Sequence, residues 1–232
     1  PSSTVTPATV PGAPTNVSAT AGDTQATVTW NAPTSNGGST ITSYTVTASP
    51  GGQTVIVNGW THTAIFNGLT NGTAYTFTVV ATNSVGDSSV STPSSTVTPA
   101  TVPGAPTNVY ATAGNTQAAV NWSAPSSTGG STITGYTVTV SPGGQTMTLG
   151  GSTLTATLTS LTNGTSYTFT VVASNTVGTG ASSSASNAVT PATVPGVPTN
   201  VTATADDGEA TVTWSAPLSN GGSSIMGYTV TA

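Results

Sequence analysis

Short stretches in which apolar residues alternate with threonine or serine recur throughout the chain. Gln25–Trp30 is typical: Ala26, Val28 and Trp30 fall on one face of an extended segment, and two threonines fall on the other. This period of two predicts a strand with one buried face, and no stretch shows the spacing of an amphipathic helix. The pattern therefore predicts an all-β protein.

Seven such stretches lie between residues 11 and 102, separated by Gly, Pro and Asn residues that favour turns. We expect strands at Asn16–Thr20, Gln25–Trp30, Ile41–Ala48, Thr54–Val57, Thr63–Phe66, Tyr75–Asn83 and Ser94–Thr98. Seven short strands with turns between them are typical of an antiparallel β-sandwich.

The chain is internally repetitive. The segment Pro-Ala-Thr-Val-Pro-Gly begins at Pro7, at Pro99 and at Pro191, with intervals of 92 residues. A fixed period of this kind indicates a tandem array, of which we expect this chain to be a window. The predicted parts are the tail of a preceding repeat at 1–10, complete repeats at 11–102 and 103–194, and a truncated third repeat at 195–232. The truncated repeat is expected to supply only its first three strands.

Composition excludes several classes of function. The 232 residues include no Lys, Arg or Cys, only five acidic residues and one His, for a formal net charge of −5. Without cations the protein cannot neutralise nucleic-acid phosphates or adhere electrostatically to anionic membranes. Without cysteine it has no disulfide, thiolate metal site or cysteine nucleophile. No apolar stretch is long enough to cross a bilayer, so we expect neither a nucleic-acid partner nor membrane insertion.

Several landmarks of each repeat resemble those of the fibronectin type III domain. In the first repeat they are Pro11, Pro14, Trp30, Tyr44, the turn from Leu69 to Tyr75, Ala81–Asn83 and Gly86; in the second they are Trp122, Tyr136, Leu161, Tyr167, Asn175 and Gly178; in the third they are Trp214 and Tyr228. The resemblance implies two sheets, A-B-E and G-F-C-C′, around one core. That core would contain Trp30, Tyr44, Leu69, Tyr75, Trp122, Tyr136, Leu161, Tyr167 and Trp214. The Ser/Thr-rich style is similar to bacterial secreted arrays of this family.

Covalent sugars could cover the exposed strand edges of such a chain and prevent its association. Candidate N-glycosylation sequences occur at Asn16, Asn71, Asn121, Asn163 and Asn200, and serine and threonine offer many O-linked acceptors. At Asn71 and Asn163 the Asn-Gly pair is equally well explained as a turn. No Lys guards the sheet edges, so the strands should associate unless sugars cover them. Glycans or self-association would each place the protein outside the cell or at its surface.

Few residues could carry other chemistry. His62 is the only histidine, and its counterpart in the next repeat is Leu154, so we expect an exposed loop residue. Asp206, Asp207 and Glu209 could hold Ca²⁺ through their oxygen atoms. The corresponding positions of the first two repeats carry at most one acid, which favours a solvated turn. We therefore predict no catalytic residue, no metal site and no cofactor.

Fold alone does not determine function, and three hypotheses remain. The leading one is a non-enzymatic structural protein, a segment of an extracellular or cell-surface fibre or stalk made of β-sandwich repeats. The alternatives are a spacer region of a secreted polysaccharide-degrading enzyme and an adhesin stalk. Sequence beyond this chain would discriminate among them, because further repeats favour a fibre or stalk and a catalytic module favours the enzyme.

Overall fold

The computed structural model describes residues 7–232, so residues 1–6 of the predicted tail lie outside the described residues. The secondary structure of the described part consists of strands and turns, which confirms the all-β prediction. It includes no helix that could span a membrane. The described residues divide into two compact units: the first holds 7–103, 127–132 and 175–178, and the second holds the remainder.

The first repeat contains six regular strands in two antiparallel sheets. They are β1 (Thr15–Ala21), β2 (Gln25–Asn31), β3 (Ser43–Ser49), β4 (Thr54–Asn58), β5 (Thr63–Asn67) and β6 (Thr76–Thr82). The strand orders are β1-β2-β5 and β4-β3-β6, which correspond to sheets A-B-E and C′-C-F of the expected sandwich.

The second repeat has the same arrangement. Its strands are β7 (Thr107–Ala113), β8 (Ala118–Ser123), β9 (Gly135–Ser141), β10 (Thr146–Gly150), β11 (Thr155–Leu158) and β12 (Thr168–Ser174), in the orders β7-β8-β11 and β10-β9-β12. The third repeat forms only the hairpin β13 (Thr199–Asp206) and β14 (Glu209–Ser215). Its expected third strand is not formed, because the described chain supplies no counterparts of the two strands that flank β3.

Aromatic side chains fill the space between the two sheets of the first repeat. The rings of Trp30 and Tyr44 lie edge to face with centroids 5.4 Å apart, and those of Phe66 and Phe77 are 4.9 Å apart. All four side chains are at most 4% exposed. The alternation along each strand places these residues inward and threonines outward, as the period of two requires. Leu69 and Tyr75 are also buried.

The second repeat buries the corresponding side chains, and the third does not. Trp122, Tyr136, Leu161 and Tyr167 are each at most 8% exposed, whereas Trp214 is 37% exposed. Trp214 therefore departs from the core assignment made from the sequence. The hairpin β13–β14 provides one side of a sandwich, and no opposing sheet covers it among the described residues.

A tyrosine fixes the turn before the longest strand of each complete repeat. The hydroxyl oxygen of Tyr75 accepts a hydrogen bond from the Thr70 N–H at 3.2 Å, and Tyr167 accepts one from the Thr162 N–H at 3.1 Å. The bond from Thr162 holds the pKa of Tyr167 below its ordinary value, because it stabilises the phenolate form. In the first repeat this is the turn from Leu69 to Tyr75, one of the landmarks on which the family resemblance rests.

The seventh strand expected at Ser94–Thr98 is replaced by an irregular segment that follows β6. Val97 forms an isolated bridge to Tyr75. Ahead of it, three serines bind the edge of β6. The side-chain oxygens of Ser88, Ser91 and Ser94 accept hydrogen bonds from the N–H groups of Ala81, Val79 and Phe77, and their own N–H groups donate to the carbonyls of the same three residues.

This segment, which we call the serine ladder (Ser88–Ser94), differs from a strand in its spacing. Its contacting residues are three apart, while their partners on β6 are two apart. Each step of three residues along the serine ladder therefore faces a step of two residues along β6. The ladder has one additional residue per step, as in a succession of β-bulges. The second repeat repeats the pattern with Ser183 and Ser186 on β12 and has Gly180 at the third position. The serine side chain therefore supplies the acceptor that a regular strand would have supplied from its carbonyl.

Replacing Trp30 or Trp122 by alanine should unfold the repeat that contains it. Each indole N–H is buried without a hydrogen-bond partner among the described residues, so the side chain acts by packing alone. Truncating a buried aromatic side chain costs about 3–5 kcal/mol. The matched control is Trp60→Ala, because Trp60 is 77% exposed and should change the free energy of unfolding by less than about 0.5 kcal/mol. Urea unfolding of the three variants would check this, and equal destabilisation by Trp30→Ala and Trp60→Ala would contradict it.

Replacing Ser91 by alanine should destabilise the first repeat by about 1–3 kcal/mol, the cost of leaving a buried donor unpaired. The donor is the Val79 N–H, which lies 2.9 Å from the Ser91 side-chain oxygen. Ser89→Ala is the control, because Ser89 is exposed. Hydrogen exchange at Val79 should accelerate only in the Ser91 variant. Equal exchange rates in both variants would show that the hydroxyl does not hold this edge.

Candidate functional site

A buried asparagine after β6 gathers three loop segments of the first repeat. The side-chain nitrogen of Asn83 donates to the carbonyls of Thr9, at 2.7 Å, and Asn36, at 2.9 Å. Its side-chain oxygen accepts from the N–H groups of Val85, at 2.9 Å, and Gly86, at 3.2 Å. Both donors and both acceptor positions of the amide are thus used, which fixes its orientation. Asn83 thereby ties the segment before β1 to the loop between β2 and β3 and to the loop after β6.

The same arrangement holds the linker between the two complete repeats. Asn175 donates to the carbonyls of Thr101, at 2.7 Å, and Thr128, at 2.9 Å, and accepts from the N–H groups of Val177 and Gly178. All five residues belong to the first compact unit. Asn175 is 6% exposed, and burying its amide without these hydrogen bonds would cost free energy. The linker is therefore bound by its backbone at a defined residue.

A pair of glycines completes each binding site for the linker. We call Gly37–Gly38, Gly129–Gly130 and Gly221–Gly222 the Gly-Gly bends. The N–H groups of Thr9 and Thr101 donate to the carbonyls of Gly37 and Gly129, each at 2.8 Å. A Cβ atom at Gly37 would collide with the carbonyl oxygen of Thr9, and glycine is also required there by a φ of +72°. The site is thus formed by one asparagine and one glycine pair that clasp a linker residue.

The asparagines of this linker site stand out in the sequence only as landmarks of the family resemblance. The signal that could have revealed the site was present. Asn83 and Gly86 recur together at Asn175 and Gly178, and the Gly-Gly bends recur at the same period. What the sequence could not indicate was that these residues meet the Pro-rich linker, because that contact depends on the folded loops.

His62 lies in the loop before β5. Its side chain is exposed, and Nε2 lies 3.4 Å from the hydroxyl oxygen of Tyr44. Burial raises the pKa of Tyr44, so this hydroxyl stays protonated across the neutral range. The His62 carbonyl accepts a hydrogen bond from the backbone N–H of Trp30, and the Leu154 carbonyl accepts one from the backbone N–H of Trp122. The shared contribution of this position is a backbone hydrogen bond.

The acidic residues of the third repeat lie at the tip of a hairpin. Asp206 pairs with Glu209 across β13 and β14, and the Asp207 N–H donates to a side-chain oxygen of Asp206 at 2.8 Å. Within residues 7–232 no three His, Cys, Asp or Glu side chains are grouped so that they could hold a metal ion. These contacts are those of a polar turn between β13 and β14.

The structure separates the five candidate glycosylation sites into two groups. Asn16, Asn121 and Asn200 are exposed on strands. Asn71 and Asn163 are half-buried, and their side chains accept hydrogen bonds from the N–H groups of Thr24 and Thr116 at 2.8 and 2.9 Å. The first three can accept a sugar without disturbing these contacts, while attachment at all five stays a prediction.

Comparison with known proteins gives a consistent result. The family model for the fibronectin type III domain matches residues 12–97 and 104–189. Chitinase A1 of Niallia circulans is 38% identical over 191 residues, which is 78% of this chain and 26% of that protein. Exoglucanase B of Cellulomonas fimi is 32% identical over 244 residues, or 98% of this chain and 22% of that protein. Endoglucanase B of Cellulomonas fimi is 38% identical, covering 74% of this chain and 17% of that protein.

The chain thus spans about a quarter or less of the length of the curated relatives that it matches. The family match takes in most of the chain and covers both repeats whose sheets and linker sites are described above. On this evidence the chain belongs to the fibronectin type III family, of which it contains two complete tandem domains.

Proposed function

We propose that this chain is a non-catalytic spacer in an extracellular polysaccharide-degrading enzyme. The observation that carries the proposal is the proportion of each protein that is matched. The similarity takes up 74–98% of this chain but only 17–26% of Chitinase A1, Exoglucanase B and Endoglucanase B. Such a ratio is expected when one shared module accompanies different catalytic parts. Fibronectin type III domains supply that module here.

The surface chemistry of the chain suits this role. An enzyme that works on an insoluble polymer benefits from a spacer that does not adhere to charged surfaces, and this chain has no Lys or Arg and only five acidic residues. The outward faces of its strands carry mainly threonine and serine. The backbone groups of the linker residues Thr9 and Thr101 are held by hydrogen bonds to neutral partners, an asparagine side chain and a glycine carbonyl in each case, so the connection is ordered without ion pairs.

A fibre or stalk of repeated domains is the second candidate. The observation in its favour is the close similarity of the two complete repeats, which also share the same linker contacts. Association between copies, or glycans at exposed residues such as Asn16, Asn121 and Asn200, would belong to this alternative. The strand β4 supports it, because this edge carries exposed Ile56 and no charged residue.

Deletion of one whole repeat from the full-length protein tests the spacer proposal. Removing residues 11–102 should leave hydrolysis of a soluble oligosaccharide unchanged and should lower hydrolysis of the insoluble polymer, because only the reach of the catalytic module changes. Sugar release from both substrates would be measured for the deletion and for the intact protein.

The complete reading frame supplies the control for this experiment. The spacer proposal requires a polysaccharide hydrolase module in the same polypeptide. A reading frame with only further 92-residue repeats, together with filaments in electron micrographs of the native material, would favour the fibre instead. Loss of activity on the soluble substrate would contradict the proposal that this part of the protein takes no part in catalysis.

A further inference from the structure

The Gly-Gly bend that clasps the linker also touches a second loop. In the first compact unit, Gly130 lies against the turn Asn71–Gly72, which precedes β6. A Cβ atom at Gly130 would collide with the Gly72 nitrogen and would lie 2.8 Å from the Asn71 Cβ. The two backbones are therefore in direct contact, at a distance that only glycine allows.

An equivalent contact occurs in the second compact unit. There Gly222 lies against the turn Asn163–Gly164, and a Cβ at Gly222 would lie 2.5 Å from the Gly164 nitrogen. Two independent occurrences with the same residues show that the contact is a property of the repeat. The partner of a Gly-Gly bend is in each case the Asn-Gly turn of the repeat that precedes it in the sequence.

Backbone hydrogen bonds from the linker reinforce each contact. The Gly72 N–H donates to the Pro99 carbonyl at 2.9 Å, and the Ala100 N–H donates to the Gly22 carbonyl at 3.2 Å. The corresponding bonds run from Gly164 to Pro191 and from Ala192 to Gly114, with the same lengths. Since Thr101 is bound by Gly129, the linker is bonded on both sides.

The asparagine of the turn is itself held in place. Asn71 accepts a hydrogen bond from the Thr24 N–H and donates one to a side-chain oxygen of Asp23, both at 2.8 Å. The turn is thus a preformed surface rather than a loop that must be ordered when it meets its partner. Preorganisation lowers the cost of binding, which favours even a small contact.

The first repeat shows what a Gly-Gly bend looks like without this partner. Gly38 has the same conformation as Gly130, with φ of +80° against +85°, but Gly38 is exposed while Gly130 is half-buried. A Cβ at Gly38 would meet only Pro7 and Ala8, with 3.2 Å as the shortest distance. The bend therefore forms without its partner, and the contact with an Asn-Gly turn is additional.

We propose that the Asn-Gly turn and the Gly-Gly bend are a docking pair, through which each repeat recognises the next copy of the same repeat. The interaction surface is the Asn71–Gly72 turn with the Pro99–Ala100 backbone, and its partner is the Gly129–Gly130 bend. We expect the pair to restrict the motion of one repeat relative to the next. This inference holds equally for a spacer and for a fibre, so it does not rest on the proposed function.

The experiment compares Gly130→Ala with Gly38→Ala in the 232-residue chain. Both substitutions place a methyl group at a positive φ, so they share the local strain, but only Gly130→Ala forces the methyl group into the Asn71–Gly72 turn. The rotational correlation times of the two complete repeats would be measured by NMR relaxation. In the unaltered chain and in Gly38→Ala they should be equal. In Gly130→Ala they should fall roughly twofold, toward the value of a single repeat tumbling independently.

A second variant guards against misfolding of the altered repeat. Gly72→Ala changes the other side of the pair, where the new methyl group would lie 3.1 Å from the Gly130 Cα, so a smaller fall in the same direction is expected. If Gly130→Ala unfolds the second repeat, the result for Gly72→Ala decides. Different correlation times for the two repeats in the unaltered chain, or equal effects of Gly38→Ala and Gly130→Ala, would overturn the proposal.

Discussion

The N–H groups along the edges of β6 and β12 are met by serine hydroxyls, and much of each repeat depends on this interaction. A strand that ended a sheet here would expose a row of unpaired donors and acceptors, which invites pairing with another chain. The serine ladder uses both the backbone and the hydroxyl of each contacting residue. Its three-residue spacing leaves no regular ladder for a further strand to join. The chain thus closes one edge without the lysines that other sheets use.

Neutral contacts of the same kind organise the loops. Asn83 and Asn175 use all the hydrogen-bonding positions of their amides, and the Gly-Gly bends allow backbones to approach where a side chain would not fit. A protein with almost no charged residues can still specify geometry, because backbone groups offer donors and acceptors at fixed positions. The aromatic core of each complete repeat then provides the hydrophobic free energy that these contacts could not supply.

The alternating pattern was sufficient to predict the architecture. It located the six regular strands of the first repeat to within two residues at each end, because a half-buried strand has a fixed period. The strand expected at Ser94–Thr98 does not form, and the serines that bind the edge of β6 are three residues apart, a spacing that an alternating pattern does not reveal. The linker site was missed for a different reason. Asn83 and Thr9 are far apart in sequence, and their contact follows only from the folded positions of the loops.

The glycine-to-glycine contact also constrains how such a protein can change in length. Gly130 meets Gly72, and Gly222 meets Gly164, and the two glycines of each pair are separated by the same number of residues. An insertion or deletion within a linker would place an Asn-Gly turn opposite the wrong backbone. Gain or loss of a complete repeat would leave every remaining pair intact. A change in length by whole repeats of 92 residues is therefore compatible with these contacts, whereas a change within a linker is not.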